Sequence, residues 1–421
     1  MMKRNVFVLI ALCLALLFAL TACGEKEPDN QVEPEVVVSP EPSPEPEPEP
    51  EPEPDPYEAV MNYWSDDQLT QAWPADQWVE HVFFHPVIAY PEWAFKDGPV
   101  TQKDKEGLDD WMVTVEEYNK ILQSLYDKGY ILVRIEDVWS EVTDENGTRM
   151  VRNVLQLPEG KKPLIVSFDD VNYYGYMLEQ GFTSKLLVGE DGQIWAECTD
   201  PYTKETFLTQ DLDAVTLLDK FVLEHPDFSL NGAKAVMGLT GYQGILGYRT
   251  QTNRDITDPA ELAVFEANRQ KEIEAVKPVI ERLKQTGWTF GSHTWGHIRL
   301  TERTVERVTN DTQRWFDEVG SLVGPTTVLI YPHGGRPDGN DWTQTGPVFR
   351  YFHEQGFRIF ASVGIESCSK VKSDISAVVC DRLHPDGTTL RWARSRYLQF
   401  YDAKDIIDLE VRPNLGYNFD K

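Results

Sequence analysis

The chain has 421 residues with 41% hydrophobic content, which is sufficient for one large domain or two. Its 69 acidic residues against 40 basic ones give a formal net charge of −29, which argues against binding of nucleic acid or of anionic lipid. No Gly-rich phosphate loop of the GxGxxG or Walker type is present, so a nucleotide cofactor is not expected.

Residues 1–22 are predicted to be a signal peptide. Lys3 and Arg4 precede an apolar run over 6–20, which is too short for a comfortable membrane span. The run ends in Leu-Thr-Ala directly before Cys23, and this pattern is typical of a lipobox, whose cysteine becomes lipidated. We therefore expect an exported protein of a bacterial cell envelope, anchored through Cys23 to the outer face of the membrane. An ordinary secretory signal with an incidental cysteine is the alternative.

Residues 23–56 are predicted to be a tether between the lipid and a folded domain at 57–421. From 24 to 56 there are eleven prolines, twelve acidic residues and one lysine. Proline favours polyproline II and like charges repel, so no core can form there. About thirty residues at roughly 3.1 Å each would reach on the order of 90 Å. Subtracting +2 for the leader and −11 for the tether from −29 leaves −20 for the domain, which favours neutral or cationic polymers over anionic ones.

Three cysteines remain in the predicted domain: Cys198, Cys368 and Cys380. Cys368 and Cys380 could pair in an exported protein, although an odd number leaves one thiol over. No Cys-x-x-Cys pair occurs, so a thiolate metal site is not expected.

Predicted strands and helices alternate through the domain. The strands are expected at 81–86, 131–133, 164–169, 233–239, 288–292, 327–331, 358–363 and 378–383, and the helices near 114–128, 262–285, 301–319 and 348–355. Pro278 should kink or split the second helix. This alternation predicts an α/β fold with a parallel sheet, and polar residues at several strand ends favour a distorted (β/α) barrel. Residues 180–230 exceed a simple crossover and are expected to form an insertion after the strand that ends at 169.

Three polar motifs lie at the carboxyl ends of predicted strands: Ser-Phe-Asp-Asp at 167–170, His-Thr-Trp-Gly-His at 293–297 and Tyr-Pro-His-Gly at 331–334. His293 and His297 are four residues apart, so on one helical turn or in a tight loop both rings can face one point. Two imidazoles and a carboxylate suit a divalent metal such as zinc and leave positions open for water and substrate. Asp169 and Asp170 are adjacent, and neighbouring side chains on a strand seldom perform the same role. A solvated strand end and two packing histidines are the alternatives.

In this order the three motifs resemble those of the NodB-type polysaccharide deacetylases, carbohydrate esterase family 4. A histidine after the first strand and a helix ending in Lys-Gly-Tyr at 128–130 resemble the exported poly-N-acetylglucosamine deacetylases. The resemblance implies a NodB-type barrel, Asp169 as general base, and Asp170, His293 and His297 as ligands of a metal, most simply zinc.

Two histidines are candidates for the general acid that protonates the departing amine. In the exported subgroup it is a histidine of the N-terminal strand, which corresponds to His85. In much of the family it belongs to a Leu-x-His motif, for which His384 is the nearest match, so His85 is favoured and His384 remains the alternative. The residues expected to contact substrate are Tyr331, Pro332, His333, Trp295 and Trp392, and the backbone at 331–333 is a candidate oxyanion partner.

Two positions depart from the family pattern. Val171 replaces the glycine that usually follows Asp-Asp, and Ile330 replaces the arginine that usually orients the base. Arg336 and Arg382 are the candidates to supply that guanidinium instead.

The sequence therefore predicts metal-dependent hydrolysis of N-acetyl groups on an extracellular N-acetylglucosamine polysaccharide. Two alternatives belong to other classes. The first is a barrel glycosidase, which would need a second carboxylate distant from Asp169 and Asp170. The second is a carbohydrate-binding lipoprotein on a decayed deacetylase scaffold.

Overall fold

The computed structural model describes residues 54–74, 76–413 and 415–420. The predicted signal peptide, Cys23 and the tether as far as residue 53 lie outside these ranges. Of the tether, Asp55 accepts a hydrogen bond from the Tyr57 backbone N–H at 3.0 Å and so caps the helix Pro56–Met61. Asp55 also forms an ion pair with Arg282. The described compact unit begins at Pro54.

In the described part of the chain the central sheet has nine strands, and seven of them form a continuous parallel series. In chain order they are β1 (Glu80–Phe84), β2 (Lys162–Asp169), β3 (Ala235–Leu239), β4 (Thr289–Ser292), β5 (Val328–Ile330), β6 (Ile359–Val363) and β7 (Val378–Arg382). Each pairs with the next in the chain. The Phe83 N–H donates to Leu383 O and the Leu383 N–H donates to His81 O, both at 2.9 Å, so the residue after β7 returns to β1. The predicted (β/α) barrel is confirmed.

Seven helices of six residues or more, besides Pro56–Met61, lie among these strands. They are α1 (Gln102–Trp111), α2 (Val115–Asp127), α3 (Ala214–Glu224), α4 (Pro259–Gln285), α5 (Val305–Trp315), α6 (Pro347–Glu354) and α7 (Gly387–Trp392). The shorter helical segments are Asp66–Gln68, Trp93–Asp97, Ile135–Val138, Gly175–Glu179, Pro226–Phe228, Leu300–Glu302, Phe316–Gly320, Ser321–Val323, Pro332–Gly334, Pro337–Asn340, Arg394–Tyr397 and Ala403–Ile406.

Two local helix predictions have clear outcomes. Thr114 and Glu117 form the predicted capping box at the start of α2. Pro278 does not split α4, which runs unbroken for 27 residues. None of the described helices is long and apolar enough to cross a bilayer.

The remaining strands lie outside this series of seven. The expected insertion contains an antiparallel sheet of Lys185–Val188, Ile194–Thr199 and Thr206–Thr209, followed by α3. The other strands are Gln71–Ala72 with Gln156–Leu157, Tyr130–Leu132 beside β2, the hairpin Trp139–Asp144 with Gly147–Arg152, and Cys368–Val371 antiparallel to β7. The register places Cys368 opposite Asp381, and Cys368, Cys380 and Cys198 are all free thiols, so the possible disulfide is not formed.

The period of two along the strands decides which side chains point into the barrel. Ile165 of β2 and Cys380 of β7 belong to one buried cluster, together with Val236, Val328, Ile330, Ile359, Ala361 and Val378. Leu164, Val166 and Phe168 alternate with Ile165 and pack instead into the larger cluster that contains α2 and α4 residues. Asp169 and Arg382 share the inward face of Ile165 and Cys380. Both strands therefore end with a charged side chain directed into the barrel.

Candidate active site

A cavity of about 420 Å³ lies at the carboxyl ends of the barrel strands. Its lining consists of Phe83, His85, Trp111, Met112, Asp169, Asp170, His293, His297, Arg299, His333, Gly334, Val363 and His384. Residues at or just after the ends of β1, β2, β4, β5, β6 and β7 contribute to it, as the convergence of loops in a parallel barrel requires. A larger groove of about 710 Å³, near Thr289 and Thr327 at the amino ends of β4 and β5, contains none of the predicted site residues.

Asp169 is held by Arg382. The guanidinium nitrogens Nη1 and Nη2 donate to Oδ1 and Oδ2 of Asp169 at 2.7 and 2.9 Å. Both side chains are buried, and Arg382 is 0% exposed. Burial raises the pKa of Asp169, but the charges of Arg382 and His293 and the hydrogen bonds from Arg382 together outweigh this effect and hold the pKa well below its usual range. Asp169 is therefore a fixed carboxylate.

Of the two candidate arginines, Arg382 supplies the guanidinium that holds Asp169, because Arg336 pairs with Asp381 instead. The two residues that depart from the family pattern, Val171 and Ile330, are both buried in the core. Val171 is buried in the largest apolar cluster, and Ile330 packs inside the barrel while its carbonyl oxygen accepts a hydrogen bond from His293.

Asp170 reaches the same cavity through a left-handed backbone conformation. Its φ of 62° turns the chain directly after β2, so that two adjacent carboxylates enter one cavity rather than pointing to opposite faces. The hydroxyl of Tyr174 donates to Oδ1 of Asp170 at 2.6 Å. Burial raises the pKa of Asp170, but His297 and His293 lower it, with a net decrease. Asp170 is therefore also ionised.

His293 and His297 lie on a tight loop after β4 rather than on a helix. Thr294 and His297 have φ values of 57° and 47°, which curl the loop. Asp311 of α5 accepts hydrogen bonds from the backbone N–H groups at 295 and 296, at 2.7 and 2.9 Å. Asp311 is a buried carboxylate that fixes this loop, and sequence reasoning missed it because it lies fourteen positions beyond the second histidine.

Asp170, His293 and His297 form a group suited to a metal. Their ligand atoms lie within 4.8 Å of one another. Nδ1 of His293 is 3.0 Å from the carbonyl oxygen of Ile330, so Nδ1 carries the proton and Nε2 is the free ligand atom. Two imidazoles and one carboxylate on a half-closed cavity fit a divalent cation with open coordination positions.

The two candidate acids are in contact. Nδ1 of His85 lies 3.1 Å from Nε2 of His384, and Nδ1 of His384 lies 2.8 Å from Oδ2 of Asp386. His384 also stacks on Phe83 at a centroid distance of 4.1 Å. Burial, followed by the neighbouring His384, lowers the pKa of His85 to about 4. The choice between His85 and His384 is therefore a choice within one hydrogen-bonded pair.

Of the five expected substrate contacts, only His333 lines the cavity. Tyr331 is 0% exposed and its hydroxyl donates to Gln344, so it belongs to the core, and Pro332 is also buried. The Trp295 indole is covered by Arg314 at 3.3 Å and donates to Glu318. These placements correct the expectation of stacking by Tyr331 and Trp295.

Trp392 of α7 is partly exposed but lies outside the cavity lining. Fewer backbone N–H groups than expected are available to stabilise an oxyanion. The Tyr331 N–H already donates to Ala361 O, and Pro332 has no N–H. Of residues 331–333, only His333 can therefore supply a backbone donor.

Several cavity residues were not anticipated, among them Trp111, Met112 and Arg299. Trp111, the last residue of α1, is 55% exposed and forms one wall, with Met112 beside it. Arg412 anchors this helix end through Oδ1 of Asp109 at 2.8 Å. Arg299, which follows His297 in the loop after β4, contributes a positive charge to the cavity lining. An isolated exposed tryptophan has no sequence signal that distinguishes it from the other tryptophans of the chain.

Among the described residues that line the cavity, Asp169 and Asp170 are the only carboxylates. A glycosidase needs two carboxyl groups on opposite sides of the scissile bond, separated by about 5 Å or more. Adjacent residues, one of them bound by Arg382, do not provide this arrangement.

Part of the chain matches the sequence model of one protein family. Residues 260–344, from α4 through the loop after β5, match the sequence model described as polysaccharide deacetylase. No curated protein matches the chain. Several solved structures are similar to the chain, with low sequence identities and TM-scores. Streptococcus pyogenes deacetylase PplD in complex with acetate has 14% identity over 77% of this chain and 98% of that chain, with a TM-score of 0.39.

A polysaccharide deacetylase from Bacillus cereus has 14% identity over 74% of this chain and 66% of that chain, with a TM-score of 0.39. IcaB from Ammonifex degensii has 13% identity over 68% of this chain and 84% of that chain, with a TM-score of 0.34. All three TM-scores are below 0.5, so the fold assignment rests on the strand order of this chain. The matched segment contains both histidines of the site and is similar to the sequence model of a polysaccharide deacetylase domain.

Proposed function

We propose that this protein removes N-acetyl groups from an extracellular polysaccharide that contains N-acetylglucosamine, and that it depends on a divalent cation, most simply zinc. The observation that carries the proposal is the convergence of Asp170, His293 and His297 beside an Arg382-bound Asp169 in one cavity. A cation bound by the three ligands would activate a water molecule and polarise the carbonyl of the acetyl group.

Asp169 is the general base in this proposal. Its carboxylate is ionised and oriented by Arg382, and it receives a proton from the attacking water. Asp170 cannot share this role, since its Oδ1 is engaged by Tyr174 and its other oxygen faces His297 at 3.7 Å. His85 supplies the proton to the departing amine.

The first test is release of acetate from N-acetylglucosamine oligomers, with and without a chelator. We expect chelation to abolish turnover and added Zn²⁺ to restore it. Among the described residues, Asp170, His293 and His297 are the only cluster of three or more side chains suited to bind a metal ion. Activity that persists after complete removal of metal would contradict the mechanism. Shortened sugars that retain their acetyl groups would indicate a glycosidase instead.

Trp111 is proposed to be the platform on which a sugar ring stacks. Trp111→Ala is expected to raise KM for the oligomers roughly 2- to 12-fold, equivalent to about 0.5–1.5 kcal/mol, with little change in kcat. Trp78→Ala is a matched control, because Trp78 is 51% exposed and contributes to a separate pocket around Glu80 and Lys162, where β1 and β2 begin. An equal effect of both substitutions on KM would reject the platform.

Anchoring through Cys23 remains part of the proposal and rests on the sequence of the leader. Cys23→Ser is expected to move the protein from the membrane fraction to the soluble fraction and to abolish incorporation of a labelled fatty acid. Unchanged membrane association of this variant would contradict a lipid anchor.

A further inference from the structure

His85, His384 and Asp386 form a chain of hydrogen bonds that ends at the cavity. Asp386 and His384 are both buried, with exposures of 3% and 7%. Oδ2 of Asp386 is 2.8 Å from Nδ1 of His384, and Nε2 of His384 is 3.1 Å from Nδ1 of His85. Among the described residues, each ring nitrogen of His85 and His384 therefore has one hydrogen-bond partner, except Nε2 of His85.

The Asp386 carboxylate determines which atom donates in each of these hydrogen bonds. An ionised carboxylate only accepts hydrogen bonds, so Nδ1 of His384 carries a proton and donates to Asp386. In a neutral His384, Nε2 is then an acceptor, and Nδ1 of His85 must carry the proton between the two rings. Nε2 of His85 is left as the nitrogen available to the cavity.

We propose that Asp386 and His384 are positioning residues that hold His85 with its Nε2 toward the substrate, so that His85 alone transfers the proton to the departing amine. This inference rests on the proposed function. Neither side chain needs to touch substrate for this role, although His384 borders the cavity.

The proton transfer balances within this arrangement. When the C–N bond of the tetrahedral intermediate breaks, the electron pair goes to nitrogen, and nitrogen takes the proton from Nε2 of a protonated His85, which has bound that proton from solvent before the step. Asp169 afterwards returns to solvent the proton that it took from the attacking water, so both groups are restored. His85 is left neutral and keeps its Nδ1–H bonded to His384. Burial disfavours the protonated ring, so a resting His85 is neutral. Asp386 acting through His384 favours the cationic ring while the negative charge on the substrate oxygen develops.

Asp386 also caps α7, and the two roles use different atoms. Oδ1 accepts the Thr389 N–H at 2.7 Å, whereas Oδ2 accepts from His384. Asp386→Asn can keep Oδ1 as the cap acceptor and replaces Oδ2 by an NH₂ group, which cannot accept the His384 proton. The substitution therefore separates positioning from helix capping.

The experiment compares two substrates in Asp386→Asn. Amide hydrolysis of N-acetylglucosamine oligomers requires a protonated leaving group, whereas 4-nitrophenyl acetate releases a phenolate that does not. We expect kcat on the oligomers to fall about 10- to 100-fold, part of the roughly 10²- to 10⁴-fold that a general acid supplies. Ester hydrolysis, KM for the oligomers and metal content should stay within about twofold. Asp258→Asn, at the cap of α4, is the control and should change neither activity.

Three further variants test the order of the residues in this hydrogen-bond network. His85→Ala should lose more amide hydrolysis than His384→Ala, and His384→Ala combined with Asp386→Asn should be no worse than His384→Ala alone. Equal losses of amide and ester hydrolysis in Asp386→Asn, or a larger loss in His384→Ala than in His85→Ala, would overturn the proposal.

Nitrogen NMR of ¹⁵N-histidine-labelled protein gives a readout independent of turnover. The wild type should show His85 protonated at Nδ1 when neutral, and Asp386→Asn should show a mixture of tautomers. A wild-type His85 protonated at Nε2 would overturn the positioning role even where Asp386→Asn fails to fold. A wild type that releases no acetate from any oligomer would reject the proposed function, while the tautomer still decides the hydrogen-bond chain.

Discussion

Asp169→Asn is expected to keep its metal and lose turnover by roughly 10²- to 10⁴-fold, the contribution of a general base. The amide retains an oxygen for Arg382, so the buried guanidinium keeps a partner, but it cannot accept the proton of water. Asp170→Ala is expected to lose the metal itself, because two imidazoles alone are a poor zinc site. Both variants lose activity, and metal content distinguishes them.

The measurement is bound zinc after dialysis, determined beside acetate release for each variant. Asp381→Asn is a suitable control, since this carboxylate lies on β7 but pairs with Arg336. It should keep both the metal and most of the turnover. A metal-free Asp169→Asn with a metal-loaded Asp170→Ala would show that the two roles are reversed.

Arg382→Met is expected to lower the free energy of unfolding by about 3–5 kcal/mol, because it leaves the Asp169 charge buried without its partner. Turnover should fall as well, since the base loses the two hydrogen bonds that orient it. The double variant Asp169→Asn with Arg382→Met should recover part of the stability, as no buried charge remains, but none of the activity.

The pH dependence of stability gives a second readout of the same pair. In the wild type the folded-state pKa of Asp169 is lowered, so its stabilisation is complete above about pH 4 and is lost as the pH falls further. In Arg382→Met, burial without the guanidinium raises the pKa of Asp169. The variant should therefore lose stability as the pH rises through that raised pKa. Urea unfolding between pH 3 and pH 8 measures both slopes.

Arg336→Met is the matched control for Arg382→Met. Arg336 is equally a buried arginine paired with an aspartate, but its partner is Asp381, and its guanidinium stacks on Trp342 at 3.6 Å. Its loss should reduce stability and spare turnover. If Arg336→Met abolished turnover while Arg382→Met did not, the assignment of the orienting arginine would be wrong.

Local patterns in the sequence determined the elements of this fold. The capping box at Thr114 and Glu117 and the alternating apolar residues of β2 depend on neighbours within a few positions, so their structure follows from short-range spacing. The spacing of His293 and His297 likewise placed two ligands on one loop. The left-handed turn at Asp170 was not predicted, because the residue carries no glycine-like signal.

The sequence by itself determined the class of fold, the two carboxylates, the two histidines of the metal group and the position of the insertion. Only the tertiary structure decided that Arg382 rather than Arg336 holds Asp169, that His85 contacts His384, and that Trp111 rather than Tyr331 or Trp295 faces the cavity. The partners in the first two pairs are 213 and 299 residues apart. Their contact depends on the closure and register of the barrel, which set the inward positions of β2 and β7 and bring β1 beside the residue after β7, and no local spacing encodes that closure.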